Sequence, residues 1–407
     1  MPLRELASVR LVASFGAGGV LYLTPMVFHQ VDFSASAVGL GLALAALAGT
    51  IGRFASGALL DQGRSCGVPV LLAALSGCIG DSCLLAAHEL QGYIIGQLFL
   101  GLAGGLYWPA VELAVPLCSD PLPSARGYAL VRSADACGVA AGTLCGSLLA
   151  AAGILRGVYW IDIASIGVLA ALLLHRPLPR AVNSRESGLE AIPLRRWLPD
   201  LLPMLGLAVV ATSIPALMQS ALPLDLVRGG LQREAQPESL SALLIGLQLG
   251  LLMLIQWPVG QHLAKRPVAH GLALSLLCFS GGTLLLALSA LSSQGVALVA
   301  IALTLVALGE AAFLPTATEA VVELSPQGHG GLAMALFSQC FALSSFAAPL
   351  LAGVLLDGDG HGVSVWLLTA LFCSLCLLLI RPIQRRSLAR STQASWGKGS
   401  VPYSQSS

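Results

Sequence analysis

Cutting the chain wherever polar, proline-rich or glycine-rich turns interrupt it leaves twelve apolar runs, and no other feature restricts the fold as much. They fall at 7–28, 36–60, 68–88, 91–116, 126–151, 156–175, 200–223, 239–263, 268–291, 295–321, 329–355 and 361–381. A helix needs about 20 mostly apolar residues to cross a bilayer. In hydrocarbon every backbone polar group must find its partner within the protein, which leaves helices and closed barrels as the only spanning structures. The expected fold class is therefore an all-α polytopic membrane protein with twelve transmembrane helices. Composition agrees: the 407 residues are 56% hydrophobic and 10% charged, with mean hydropathy +0.83, where soluble domains carry about 25% charged residues. A net charge of +1 gives no field for nucleic acid.

The longest hydrophilic interruption, "HRPLPRAVNSRESGLEAIPLRRWLPD", follows the sixth run and carries five arginines. The expected organisation is thus a six-helix bundle over 1–175, a basic linker over 176–199, a second six-helix bundle over 200–381 and a Ser-rich disordered tail over 382–407. Basic residues collect on the cytoplasmic side of membrane proteins. With the N-terminus inside, that side holds Arg4, Arg10, Arg64, Arg126, Arg176, Arg180, Arg185, Arg195, Arg196, Lys265, Arg266, Arg381, Arg385, Arg386, Arg390 and Lys398. The other side holds only Arg156, Arg228 and Arg233. Both termini are expected in the cytoplasm of a bacterial-type inner membrane. The halves also repeat: "GLAGGLYWPAVELAV" at 101–115 returns as "ALGEAAFLPTATEAV" at 307–321, aligned on Pro109 and Pro315. Parallel repeats of six helices suit a carrier built as two bundles around a central site.

The turn after the second run reads Gly57-x-x-x-Asp61-x-Gly63-Arg64. The fourth run carries Gly101 and Pro109 in a glycine-rich pattern, with Gln97 at its head. The fifth has Gly138-x-x-x-Gly142-Thr143-x-x-Gly146, echoed by Pro349 and Gly353 in the eleventh. With the helix count, linker and repeat, these features resemble the major facilitator superfamily over nearly the whole chain. The pattern is nearest to its drug and metabolite exporters. The turn resembles the family's G-x-x-x-D-R-x-G-R loop, with Gln62 for the first arginine and Gly63 and Arg64 one residue early. The resemblance implies a gating motif of Gly57, Asp61, Gly63 and Arg64, in which the Asp61 carboxylate faces the positive end of helix eleven and holds the cytoplasmic gate shut. Ala264 stands at the corresponding position of the second half. The glycines read as a helix-packing motif, because glycines four apart let helices approach closely.

A charge at mid-membrane costs at least ~2.5–3.5 kcal/mol, so each is a candidate for function. Glu310 lies halfway along its run and is the candidate for ion coupling, since a carboxyl there can take up a proton. Arg53, Glu112, Arg132 and Asp135 form a candidate intramembrane charge network. Asp81 and Asp162 sit nearer the outer face, where they can reach water. Tyr107, Trp108, Gln219, Gln248 and Gln339 are candidates for the substrate cavity. Ten cysteines fall mostly inside apolar runs and read as small hydrophobes. No metal-ligand spacing, cofactor motif or nucleophile motif is present, so no enzyme, metal or cofactor is expected. The function expected is secondary transport of a small molecule by a monomer in the lipid bilayer. Export of an amphipathic drug-like compound or metabolite leads, with H⁺ as a coupling ion consistent with Glu310. Uptake of a sugar or organic acid, or a non-transporting assembly factor or sensor, stays open.

Overall fold

The structure is a computed structural model, and it describes residues 1–119, 124–180, 194–263, 265–325 and 330–385. Asn183, Arg185, Ala264, Arg386, Arg390, Lys398 and the rest of the Ser-rich tail lie outside the described residues. So does the side chain of Asp61. Among the described residues the chain is helical throughout. The elements are α1 (Leu3–His29), α2 (Ala35–Asp61), α3 (Gly67–Ala86), α4 (Leu90–Ser119), α5 (Ser124–Ala151) and α6 (Gly157–His175), then α7 (Leu194–Arg228), α8 (Glu238–Leu263), α9 (Val268–Ser289), α10 (Gly295–Leu324), α11 (Gly330–Asp359) and α12 (Val363–Cys376). Twelve spans are long and apolar enough to cross a membrane. Helix α7 begins at Leu194, so Arg195 and Arg196 ride on a helix. Beyond α12 the chain stays helical to Arg385.

The two halves pack alike. In the first, α1 lies on α5, α2 on α4, and α3 on α4 and α6; in the second, α7 lies on α11, α8 on α10, and α9 on α10 and α12. Close approach of the helices depends on missing side chains, as van der Waals packing in lipid requires. A Cβ at Gly142 would overlap the Phe15 carbonyl, and one at Gly353 would lie 2.6 Å from the Ala35 oxygen. Gly138 and Gly146 face α1 in the same way, and Pro349 backs onto Gly39 of α2.

Between the bundles, α2 meets α11 and α5 meets α8. We call the end that carries the N-terminus the linker side and the opposite end the distal side. In the distal half, hydrogen bonds cross directly between the bundles: Gln30 Nε2 donates to Glu238 Oε2 (2.8 Å), and the first amides of α2 donate to α11. Neither α4 nor α10 packs extensively on the opposite bundle. On the linker side the bundles part around a cavity of about 550 Å³ between α2, α7 and α11, lined by Leu47, Thr50, Leu205, Val209, Gln339 and Phe346. Among the described residues the molecule is closed distally and open toward the linker side.

Candidate functional site

At the centre, Glu310 sits halfway along the 30-residue α10. It is half-buried and, among the described residues, takes neither an ion pair nor a hydrogen bond. The buried Tyr22 of α1 belongs to the other bundle; its hydroxyl lies near the Gln219 side chain of α7 and within electrostatic range of Glu310 and Asp135. Gln219 and Glu310 thus both lie within interaction range of Tyr22, from the opposite bundle. Gln339 lines the open cavity. Gln248 is buried on α8 with Oε1 unpartnered.

The charge network has a different centre from the one the sequence suggests. Arg10 counts as a loop charge in the sequence, yet it is 6% exposed. Its Nη2 lies 2.6 Å from Asp135 Oδ1, to which Ser14 Oγ also donates at 2.6 Å. Its guanidinium lies 3.9 Å from the centre of the Trp108 ring and 5.0 Å from that of Tyr107, positions in which the ring quadrupole attracts a cation. Arg132 pairs with Glu112 at 3.1 Å, both about half exposed, and also faces Trp108 at 5.4 Å. Arg53 forms no ion pair among the described residues. Tyr107 and Trp108 therefore serve as a platform for arginines. Arg10 itself was detectable in the sequence, because it stands within "ASVRLVASF" with Ser14 one turn on, on the face of α1 turned toward α5.

Two distal clusters add residues that no motif pointed to. Asp357, near the end of α11, accepts from Ala35 N (2.9 Å) and Ser36 N (2.7 Å) at the start of α2, and from Arg228 Nη2 (3.0 Å). These are unpaired amides of a helix start, and a carboxylate suits that positive terminus. Asp225 and Arg233 pair at 3.0 Å with both side chains 1% exposed. Asp225 also accepts from Gly362 N (3.0 Å) and Trp366 Nε1 (2.9 Å), tying α7 to α12.

At the linker-side end of α2 the chain turns through Gly63, whose φ of 73° lies in the left-handed region that glycine takes without penalty. Gly63 N and Arg64 N return to Leu60 O and Leu59 O. The loop then docks on the segment after α6: Ser65 Oγ donates to Leu178 O (2.7 Å) and Cys66 N to Pro179 O (3.0 Å). A Cβ on Gly57 would meet nothing within 4 Å.

The sequence profile of the Major Facilitator Superfamily matches residues 6–286. The chain belongs to that superfamily. It is a secondary transporter of this kind and an integral membrane protein. No curated protein sequence matches it. Among solved structures, this transporter is similar to the nucleoside transporter NupG, with TM-score 0.79 at 12% identity over 94% of this chain and 99% of that one. It is also similar to a POT family transporter in complex with 5-aminolevulinic acid, with TM-score 0.78 at 13% identity over 95% and 96%. A peptide transporter POT in complex with sulfate gives 0.74 at 14% identity over 94% and 95%. At these identities the likeness is one of fold.

Proposed function

We propose that this transporter exports a small amphipathic compound by alternating access, with Glu310 exchanging the coupling proton and the linker side facing the cytoplasm. The observation that carries this reading is the position of Glu310, an acid without an ion partner where the bundles meet, beside the Tyr22–Gln219 contact. The linker-side cavity between α2, α7 and α11 presents mostly Leu, Val, Ala and Phe, with Gln339 and Thr50 as polar points, a lining suited to a solute with an apolar body and few polar groups. A proton on Glu310 neutralises the central site in one half-cycle, and its release leaves a charge to draw or repel the solute in the other. Arg10, Asp135 and the Trp108 platform stiffen the N-terminal bundle, joining α1, α4 and α5. Asp61 acts at the linker-side gate when the site faces away from it.

The test is growth of an efflux-deficient bacterial host on a panel of toxic amphiphiles, comparing the transporter with Glu310→Gln at equal expression. Resistance that Glu310→Gln abolishes is expected. Resistance unchanged by that substitution would remove Glu310 from the mechanism. A second reading, uptake of a polar solute, draws support from the charged wall formed by Arg132, Glu112 and Asp135. A nucleoside transporter and a peptide transporter of similar fold favour a polar solute. Radiolabelled accumulation by the same cells separates the two, since uptake raises the internal counts and export lowers them.

A further inference from the structure

Behind α1, on the side away from the central cavity, two acids from different helices meet in a place where the sequence led us to expect water. Asp81 of α3 is 0% exposed and Asp162 of α6 is 5% exposed. Each lies five residues from the distal end of its helix, about 7.5 Å deep. The two carboxyls are within hydrogen-bonding reach of each other. Three of their four oxygens, both of Asp81 and Oδ1 of Asp162, are buried with no donor. A lone buried acid usually finds a backbone amide, a hydroxyl or a cation, and this pair has found none of them.

The surroundings exclude the usual sources of charge compensation. Among the described residues no arginine, lysine or histidine comes within ion-pair distance of either acid. Arg156 gives its guanidinium to the carbonyls of Leu85 and Ala87. The titratable side chains within electrostatic range are Cys78 of α3 and Tyr159 of α6, and the Tyr159 hydroxyl donates to Thr24 Oγ1 instead. From α1 the pair faces Gly16, where a Cβ would overlap Asp162 Oδ1, and α4 presents Leu100 and the Gly96 carbonyl to neighbouring Gly80. Two carboxylates this close and this dry cannot both stay ionised. One proton satisfies the geometry: the protonated carboxyl becomes the missing donor, and the other accepts.

We propose that Asp81 and Asp162 form a closed proton-binding site within the N-terminal bundle, holding one shared proton between them and separate from Glu310. The site ties α3 to α6 against α1. Its proton is lost only when the two helices separate or water enters. The glycine at position 16 is part of the site, because any larger side chain would take the place of the Asp162 carboxyl.

Infrared spectroscopy of the purified full chain in lipid vesicles tests this without any substrate. The measurement is made at neutral pH on Glu310→Gln, which removes the central carboxyl as a source of signal, so failure here and failure of the export reading remain distinguishable. A carbonyl stretch of a protonated carboxylic acid is expected, shifting down in D₂O and lost when Asp81→Asn and Asp162→Asn are added together. Exchange of sodium for choline should leave the band unchanged. A band that persists in the triple variant, or no band at all, would overturn the proposal. A band that emerges only when sodium is withdrawn would overturn it as well, by making the pair a metal-cation site. Circular dichroism and size-exclusion profiles of each variant confirm that lost signal reflects chemistry and not unfolding.

Discussion

The two ends of α2 are held in opposite ways. At the distal end, Ser34 caps the helix through Ala37 N (3.1 Å) and Asp357 reaches over from the other bundle to take the Ala35 and Ser36 amides. At the linker end the described residues of the turn dock on their own bundle, through Leu178 and Pro179. A helix fastened across the interface at one end and to its own bundle at the other is a lever. The comparison teaches that this state is selected by contacts at the distal end of α2, while the described residues of the family-like turn at its other end are fastened to their own bundle.

Removing the distal fastening should have the largest effect. Hydrogen bonds to a charged group contribute about 1.5–3 kcal/mol each, so Asp357→Ala, which loses the two amide bonds that cross the bundles, should shift the balance of the two open states by roughly a hundredfold or more. Spin-label distances between the start of α2 and the end of α11 should lengthen from one narrow population to a broad or bimodal one. Unchanged distances would mean that apolar packing alone closes the distal side.

Steric pressure at the same interface comes next. Gly353→Leu must push α11 from α2, because the Cβ alone already meets the Ala35 oxygen at 2.6 Å, and overpacking costs about 1–3 kcal/mol. The same distance should lengthen, with less gain in the distal-open population than Asp357→Ala produces. At the linker end, Gly63→Ala forces a side chain into the left-handed region at about 1–2 kcal/mol. Because the described ties of that turn run to its own bundle, the variant should lower the melting temperature of the purified protein yet leave the distal distances as they were. A change in those distances would show that the Gly63 turn also holds the bundles in this state.

Much of this was legible in the sequence, and the remainder was not for identifiable reasons. The helices follow from runs of about 20 apolar residues, since hydrocarbon leaves the backbone no alternative. Glu310 was legible because an acid halfway along such a run has few reasons to be there. Arg10 was missed because it lies near the start of the chain, where counting charges by loop assigns it to water; its burial depends on Asp135, 125 residues away. Asp81 and Asp162 were placed at the correct depth but given the wrong surroundings, because depth follows from counting residues along a helix whereas the facing helix does not. Asp357 belongs to no pattern we could read: its role depends on which helix starts beside it.

The smallest effect is expected at Asp61, and its size is the point. The family resemblance assigns it to the contact that closes the linker side, a state in which the present distal fastening is undone. In a protein that rests closed distally, Asp61→Asn weakens a state that is already rare, so the spin-label distances should barely move. In the Asp357→Ala background the two states are close to balanced, and there the same substitution should restore the short distal distance. A substitution that is silent alone and corrective in combination is the signature of two fastenings at opposite ends of one lever. If Asp61→Asn lengthens the distal distance in either background, the two ends do not oppose one another and the turn at Asp61 serves only to end the helix.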